Sequence, residues 1–173
     1  MNIVGDRVIL TAVAPVDLDF ICDLECDTAI WSFEEHVESD REAVKRKYAE
    51  QAESAHHHNF IIRLKKGPTS QPIGLMQMWS YVEHRQSWEL GYALLPEYRG
   101  NGYGSEAAKL LLNFAFSTLN AHKIVGMCHC GNRASSKLME AIGMRRQGVF
   151  RQELSMNGSW HDQWFYEISA AEL

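Results

Sequence analysis

Apolar and polar positions alternate with a period of two along several short stretches of this chain, a pattern typical of strands. Two such stretches near the C-terminus flank the turn signal NGS, which favours a β-hairpin. We therefore predict about seven strands, in the segments RVILTAVA, NFIIRLKK, PIGLMQMWSYV, WELGYALL, KIVGMCHC, RRQGVFRQELSM and WHDQWFYEIS.

Between these stretches the apolar positions follow the helical period, which predicts about four helices. GPTSQ is predicted as a turn, and the HHH run at 56–58 is expected at a helix end or in a loop. The helices are predicted in VDLDFICDLECD after Pro15, from about Arg41 to Ala55, in SEAAKLLLNFAFSTLN, and in RASSKLMEAIG.

The elements follow one another as β-α-α-β-β-β-α-β-α-β-β, which predicts an α/β fold with a mixed, mostly antiparallel sheet flanked by helices. No linker, repeat or low-complexity segment divides the chain, so we expect one domain over residues 1–173. A net charge of −5 argues against a nucleic-acid binder that works through a basic surface.

Several features favour a cytoplasmic protein. No apolar run approaches the roughly 20 residues of a membrane span, and MNIVGDRVIL lacks the organisation of a signal peptide. The four cysteines fit a reducing compartment without disulfides. The spacing of Cys128 and Cys130 is tighter than that of paired zinc ligands, so we predict no metal site.

YRGNGYGSEA carries the candidate chemistry, because three glycines stand between a predicted strand and a predicted helix. A P-loop would require Lys and a hydroxyl residue where Ser105 and Glu106 stand. A dinucleotide fingerprint would require an acidic residue at the end of the next strand, KIVGMCHC, which has none. The remaining interpretation is a pyrophosphate held by backbone N–H groups at a helix N-terminus. A ligand-free strand-to-helix turn is the alternative, although one glycine would suffice for it.

Three segments of the chain resemble the GNAT superfamily of N-acetyltransferases. RGNGYG fits the family pattern Arg/Gln-x-x-Gly-x-Gly/Ala, and the other segments follow in the family's order and spacing. They are most similar to the branch that contains the ribosomal-protein alanine acetyltransferases, and the resemblance covers nearly the whole chain. The segments are ELGYALLPEYRGNGYGSEA, NRASSKLMEAIGM and NGSWHDQWFYEIS.

This resemblance implies a GNAT-like fold that binds acetyl-CoA as cosubstrate at the glycine loop. It implies that the loop amides hold the pyrophosphate, that part of the preceding strand pairs with the pantetheine arm, and that an asparagine contacts that arm. The implied coenzyme-binding residues are Ala93, Leu94, Leu95, Arg99, Gly100, Asn101, Gly102, Tyr103, Gly104, Ser105 and Asn132.

Acetyl transfer to an amine needs a group that takes a proton from the ammonium. Glu89 is our candidate base, since alternation places it on one face with Gly91 and Ala93, where desolvation would raise its pKa. The family often has an acidic base on this strand. A solvated glutamate, or one paired with Arg85, is the alternative.

A second group should assist the departing thiolate. Many relatives have a tyrosine for this role seven residues after the asparagine, where this chain has Met139. Ser135 matches a serine of the alanine-acetyltransferase branch and is our candidate to hydrogen-bond the sulfur; its alternative role is at the helix end.

The amine that accepts the acetyl group is the part of the reaction that the sequence specifies least. WSFEEHVESD concentrates acidic residues in a segment that borders the acceptor cleft in the resembling family, and such residues attract cations or merely solvate a loop. We expect a primary amine of a protein N-terminus or a small molecule, with a polyamine of the spermidine type second. A coenzyme-binding regulator without catalysis, and a homodimer, stay open.

Overall fold

A single sheet organises the protein, whose computed structural model describes residues 1–65 and 71–172. Across the described residues the sheet has eight strands in the order β1-β2-β3-β4-β5-β6-β8-β7. The strands are β1 (Asn2–Val4), β2 (Val8–Ala12), β3 (His57–Leu64), β4 (Pro72–Val82), β5 (Ser87–Leu94), β6 (Lys123–His129), β7 (Arg145–Met156) and β8 (Ser159–Ser169). The α-helices are α1 (Leu18–Glu25), α2 (Arg41–Ala52), α3 (Tyr103–Ser117) and α4 (Arg133–Ala141).

Helices cover both faces of this sheet and form two hydrophobic cores. Successive residues of a strand face opposite sides, so Phe60 and Ile62 pack with α3 in one core whereas Ile61 packs with α1 and α2 in the other. On β5 the same alternation directs Leu90 towards α3 and Ala93 towards α1 and α2. One face of β5 therefore packs towards α3, and the other packs towards α1 and α2.

The sheet parts between β5 and β6, its one parallel pair. These strands are paired only where Ser87, Trp88 and Glu89 lie beside Lys123–Val125. Beyond these residues β5 stays paired with β4, and β6 stays paired with β8. A gap therefore opens between the C-terminal halves of two neighbouring strands.

Helix starts in this fold follow their capping residues. Asp40 precedes α2 and accepts hydrogen bonds from the backbone N–H groups of Glu42 and Ala43. Asn132 precedes α4, and its side chain accepts a hydrogen bond from Ser135 N. The charged residues that follow Asp40 do not disturb α2, because its buried positions are Val44 and Tyr48.

The predicted α/β class and the mostly antiparallel sheet are confirmed. The sheet has eight strands rather than about seven, since the short β1 pairs with β2 and carries too few residues to show alternation. Placing HHH at a helix end or loop was right for His56, which lies in the turn after α2, and wrong for His57 and His58, which belong to β3. The ring centroid of His58 lies 5.3 Å from that of Trp88 and 5.5 Å from that of Phe114. The predicted turn GPTSQ lies, except for Gln71, outside the described residues.

One buried ion pair fastens the segment before α1 to the sheet. Asp17, only 6% exposed, pairs with Arg63 of β3 and also accepts a hydrogen bond from Ala14 N at 3.1 Å. Breaking a buried pair leaves a desolvated charge, so we expect Asp17→Ala to lower the free energy of unfolding by about 3–5 kcal/mol. Asp23→Ala removes the exposed partner of Arg41 and should cost about 1 kcal/mol or less. Urea unfolding of both variants measures this, and equal losses would contradict the account.

Candidate active site

A cavity of about 750 Å³ occupies the gap between β5 and β6 and continues to the N-terminus of α3. The strand β5 supplies one wall, and α4 with the end of β6 supplies the opposite wall. Its lining includes the segments 89–94, 98–100, 102–105, 127–128 and 137–139, together with 30–34, Gln77, Trp79, Asn132, Ala134, Ser135, Ala141 and Gln163.

The glycine loop adopts the backbone that its composition predicts. Gly100 has φ 76° and Gly102 has φ 80°, both in the left-handed region that other residues rarely adopt. Gly104 serves a different purpose, because a Cβ there would lie 2.9 Å from Leu94 Cδ1 and 3.0 Å from Leu138 Cδ1. A side chain at 104 would force the Leu94 and Leu138 side chains to shift, so the close packing of α3 against β5 and α4 favours glycine there.

The first turn of α3 presents free donors to the cavity. Gly102 is the N-cap without a side-chain cap, and the first helical bond runs from Glu106 N to Gly102 O at 3.1 Å. Tyr103, Gly104 and Ser105 therefore have N–H groups without an intrahelical partner. Convergent N–H groups at the positive end of a 15-residue helix suit an anion such as a diphosphate.

Of the two other predicted loop residues, Arg99 lines the cavity and Asn101 does not. Arg99 lines the cavity mouth, and its Nε donates a hydrogen bond to Leu94 O at 3.1 Å. Asn101 does not line the cavity. Its side-chain Nδ2 donates to Arg99 O at 3.1 Å, and its backbone carbonyl oxygen accepts a hydrogen bond from Arg7 Nη1. Asn101 thus supports the loop from behind.

The backbone of β5 directs one set of polar groups at the gap. Leu95 N donates to Ile73 O at 3.0 Å, so the N–H group of Leu95 and the N–H and C=O groups of Ala93 are directed at β4. The carbonyl of Leu95 accepts from Tyr98 N at 3.0 Å instead. Those of Leu94 and Tyr92 are consequently directed at the parted edge. Among the residues predicted to pair with a pantetheine arm, Leu94 is the one whose N–H group faces the cavity.

Glu89 lies where β5 and β6 part, with its carboxylate in the cavity. No register shift interrupts β5 between residues 88 and 94, so the predicted face, shared with Gly91 and Ala93, is the observed one. Trp79 Nε1 donates to Glu89 Oε2 at 3.1 Å. Burial, and to a smaller extent the charge of Glu34, raises the pKa of Glu89 to about 7, against the lowering effect of the Trp79 bond. Such a carboxyl group can gain and lose a proton near neutral pH.

A second cavity of about 570 Å³ adjoins the first beside Glu89. Both cavities share Trp31, Glu34, Gln77 and Trp79, so the boundary between them is polar and aromatic. Desolvation and the neighbouring carboxylates raise the pKa of Glu34. The second cavity is further lined by Glu25, His36, Val37, Glu38, Ala43, Val44, Lys47, Gln51, His57 and Asn59.

Ser135 lies on the other side of β5 from Glu89. Its hydroxyl group and the hydroxyl group of Tyr92 are 2.7 Å apart, and Tyr92 OH also donates to Ser135 O at 3.2 Å. The cap of α4 is made by Asn132 Oδ1, which accepts from Ser135 N at 3.1 Å. The Ser135 side chain is therefore engaged with Tyr92, and burial raises the pKa of Tyr92, which keeps its proton in place.

Met139 lines the wall of the cavity without a polar function. It is 1% exposed, and its Sδ lies 2.8 Å from where a Cβ of Gly126 would stand. A thioether donates no proton. Nearby Cys128 also lines the cavity, and burial raises the pKa of its thiol to about 11, so it is protonated at neutral pH.

Three functional candidates were missed by the sequence reasoning. Trp79 lies opposite Glu89 in the β4–β5 register, which a correct strand alignment would have revealed. Tyr92 and Ser135 are distant in the sequence, and the sequence pattern does not show that α4 packs against β5 and brings them into contact. Glu34 was recognised as acidic, but its place in the lining of both cavities follows from tertiary packing that residue spacing does not show.

The described helices include none that is long and apolar enough to cross a membrane. Among the described residues, no group of three or more His, Cys, Asp or Glu side chains is arranged to hold a metal ion.

Comparison with known proteins identifies relatives of this fold. The family described as acetyltransferase (GNAT) domain matches residues 7–145. The uncharacterized N-acetyltransferase YnaD of Bacillus subtilis is 36% identical over 101 residues, which is 58% of this chain and 58% of YnaD. The uncharacterized N-acetyltransferase YoaA of the same species is 26% identical over 165 residues, which is 94% of this chain and 93% of YoaA. A putative ribosomal N-acetyltransferase, YdaF of B. subtilis, is 27% identical over 99 residues, 57% of this chain and 54% of YdaF.

A solved structure agrees over almost the whole chain. Spermidine N-acetyltransferase from Vibrio cholerae, in complex with CoA and spermine, superposes with a TM-score of 0.89 at 22% identity. The match covers 97% of this chain and 98% of that protein, and at this identity it establishes the fold.

The negative charge of Glu34 raises the pKa of Glu89, so replacing Glu34 should lower that pKa. Glu34→Gln removes a negative charge that raises the pKa of Glu89, so the Glu89 pKa should fall below about 7. Glu35→Gln is the matched control, since Glu35 instead bonds Ser155 N at 2.7 Å. Carboxyl-carbon NMR titration, assigned with Glu89→Gln, measures both. A Glu89 pKa that falls equally in both variants, or in neither, would contradict this coupling.

The raised pKa of Glu89 also predicts a pH-dependent stability difference. Ionisation of Glu89 is disfavoured in the folded state, so wild-type protein loses stability relative to Glu89→Gln as pH rises from about 4.5 to about 7. The variant should therefore be more stable by about 3 kcal/mol at about pH 8. The difference should disappear near pH 4. Urea unfolding at both pH values tests this, and an advantage confined to the acidic condition would contradict the sign.

Proposed function

Because the chain belongs to the acetyltransferase (GNAT) domain family, whose members use acetyl-CoA, we propose that it transfers the acetyl group to a primary amine by direct attack. The acceptor is the amine of a protein N-terminus or a small molecule, and residues 1–173 act as one acyl-CoA-dependent domain. The observation that carries this proposal is the parting of β5 and β6 beside the free N–H groups of α3. That opening gives both reactants access to the same strand.

The proposed coenzyme site combines the α3 N-terminus with the free edge of β5. The N–H groups from Gly100 to Ser105 would hold the pyrophosphate, and Arg99 lies at the mouth beside them. Leu94 N would bond the arm or the carbonyl oxygen of the thioester, in the manner of an added strand. Asn132 would act from the opposite wall. Acetyl-CoA supplies the activated acetyl group when it is bound.

Glu89 is the proposed general base. An alkyl ammonium group has a pKa near ~10.4, so the acceptor arrives charged and must lose a proton before it attacks. A carboxylate with a pKa of about 7 is available in part at neutral pH and accepts that proton at Oε1 or Oε2. Trp79 holds Oε2 by its indole N–H, which fixes the direction of the carboxylate.

Ser135 is the proposed donor on the leaving-group side. Its hydroxyl group lies on the opposite face of β5 from Glu89 and is held by Tyr92. The Ser135 hydroxyl group would donate a hydrogen bond to the departing sulfur, while Tyr92 OH, 2.7 Å from Ser135 Oγ, orients the serine and keeps its own proton. Met139, which stands where many relatives have a tyrosine, then only fills the wall of the cavity.

The second cavity supports a cationic acceptor, since carboxylates of Glu25, Glu34 and Glu38 line it. A polyamine is the second candidate, because this acidic cavity extends well beyond Glu89 and could receive a second ammonium group. Glu25 is partly committed to Lys47, whose Nζ lies 3.3 Å from Glu25 Oε2. Glu34 and Glu38 are the other two glutamates of the lining.

The test is acetyl-CoA turnover, followed with a thiol reagent over a panel of peptides, polyamines and aminoglycosides. Thiol release with peptides or small amines supports the first candidate, and release confined to polyamines selects the second. Coenzyme binding without release across the whole panel would replace the enzyme by a coenzyme-binding regulator.

Replacing Glu89 by Gln gives the kinetic prediction. The variant should lower kcat/KM for the acceptor by roughly 100-fold or more, and the limb of the pH–rate profile near about pH 7 should disappear. The KM for acetyl-CoA should stay unchanged, because Glu89 lies outside the proposed coenzyme contacts. Glu83→Gln, an exposed position before β5, is the control. An unchanged rate with the same pH profile would exclude Glu89 as the base.

A further inference from the structure

A side chain from the N-terminal hairpin reaches the glycine loop from behind. Arg7 lies between β1 and β2, and its Nε donates to Glu106 Oε2 at 2.8 Å. The other oxygen, Glu106 Oε1, accepts from Arg7 N at 2.7 Å and from Val8 N at 3.2 Å. One carboxylate in the first turn of α3 therefore binds a residue that precedes it by 99 positions in the chain.

The same guanidinium group also touches the loop itself. Arg7 Nη1 donates to Asn101 O at 2.8 Å. Arg7 Nη2 lies 3.1 Å from where a Cβ of Gly102 would stand, and Arg7 Cζ lies 5.3 Å from the centroid of the Tyr103 ring. Three consecutive loop residues are thus in contact with one side chain, which does not itself line the cavity.

These contacts coincide with the left-handed part of the loop. Gly102 stands in the left-handed region, and the peptide that precedes it is the one whose carbonyl is bound by Arg7. Holding the Asn101 carbonyl outward fixes the direction of the adjoining N–H groups. The absence of a Cβ at Gly102 also leaves the space that the guanidinium group occupies.

Charge gives Arg7 a second effect. A carboxylate near a helix N-terminus stabilises the helix, but beside the proposed diphosphate site the same charge would repel the ligand. The pKa of Glu106 is lowered, since hydrogen bonds from Arg7 and Val8 outweigh its desolvation, so Glu106 is ionised at neutral pH. Arg7 neutralises that charge at contact distance.

We propose that Arg7 is a positioning residue for coenzyme binding: it holds the Asn101–Tyr103 backbone in its binding conformation and neutralises Glu106. The inference rests on the proposed function, because it requires the coenzyme pyrophosphate at this loop. A purely structural role, fastening the β1–β2 hairpin to α3, would affect stability without a selective effect on coenzyme affinity.

The experiment is calorimetric titration of the full chain with CoA. If the loop without Arg7 holds the binding conformation about a tenth of the time, Arg7→Ala raises the Kd for CoA about tenfold. Arg7→Lys keeps the charge but cannot bridge Glu106 and Asn101 together, so its Kd should lie between those of wild type and Arg7→Ala. Adding Glu106→Gln to Arg7→Ala should recover part of the affinity, since the uncompensated carboxylate is then removed.

Steady-state kinetics provide the second readout. In Arg7→Ala the KM for acetyl-CoA should rise by about the same factor as the Kd for CoA, while the acceptor KM and kcat stay within about twofold. Arg41→Ala is the matched control, because Arg41 is an arginine of similar exposure that pairs with Asp23 and lines neither cavity. It should leave the Kd for CoA unchanged.

The outcomes separate this inference from the function on which it rests. Wild-type protein that is folded but does not bind CoA overturns the proposed function. Wild-type protein that binds CoA, with folded Arg7→Ala binding it equally well, overturns the role of Arg7. If Arg7→Ala does not fold, Arg7→Lys decides the matter, and a Kd equal to that of wild type would then contradict the inference.

Discussion

The structure depends on the parting of two neighbouring strands. β5 and β6 are parallel neighbours only as far as Glu89 and Val125, after which each keeps only its outer partner. Buried backbone N–H and C=O groups need partners, so an opened edge is a costly feature unless something else binds there. Leu94 O already receives a bond from Arg99. The other backbone N–H and C=O groups on this edge make one wall of the cavity polar. The cavity lies directly before the N-terminus of α3.

A single strand then separates the two halves of the proposed chemistry. Glu89 projects from one face of β5 and Tyr92 from the other, because the side-chain period of a strand is two. Glu89 lies beside the acidic second cavity with Trp79, whereas Tyr92 lies against α4 with Ser135. An acceptor and a thioester that met at this strand would have a base on one side and hydroxyl donors on the other.

Much of this arrangement could be predicted from local sequence. The glycine loop, the face of Glu89 and the α/β class follow from residue spacing, since each depends on a few consecutive residues. The contact of Tyr92 with Ser135 could not be predicted, because it depends on how α4 packs against β5. Arg7 was missed for the same reason: its partner Glu106 is distant in the chain, and no periodic pattern links a hairpin turn to a helix start.

The most direct test of the central claim is an amide NMR titration of isotopically labelled protein with CoA. The account predicts that the largest chemical-shift changes occur at residues 100–105 and at Tyr92 and Leu94, on the parted edge of β5. Well-folded protein whose amides do not respond, or respond only around α2, would contradict the claim that this opening binds the coenzyme.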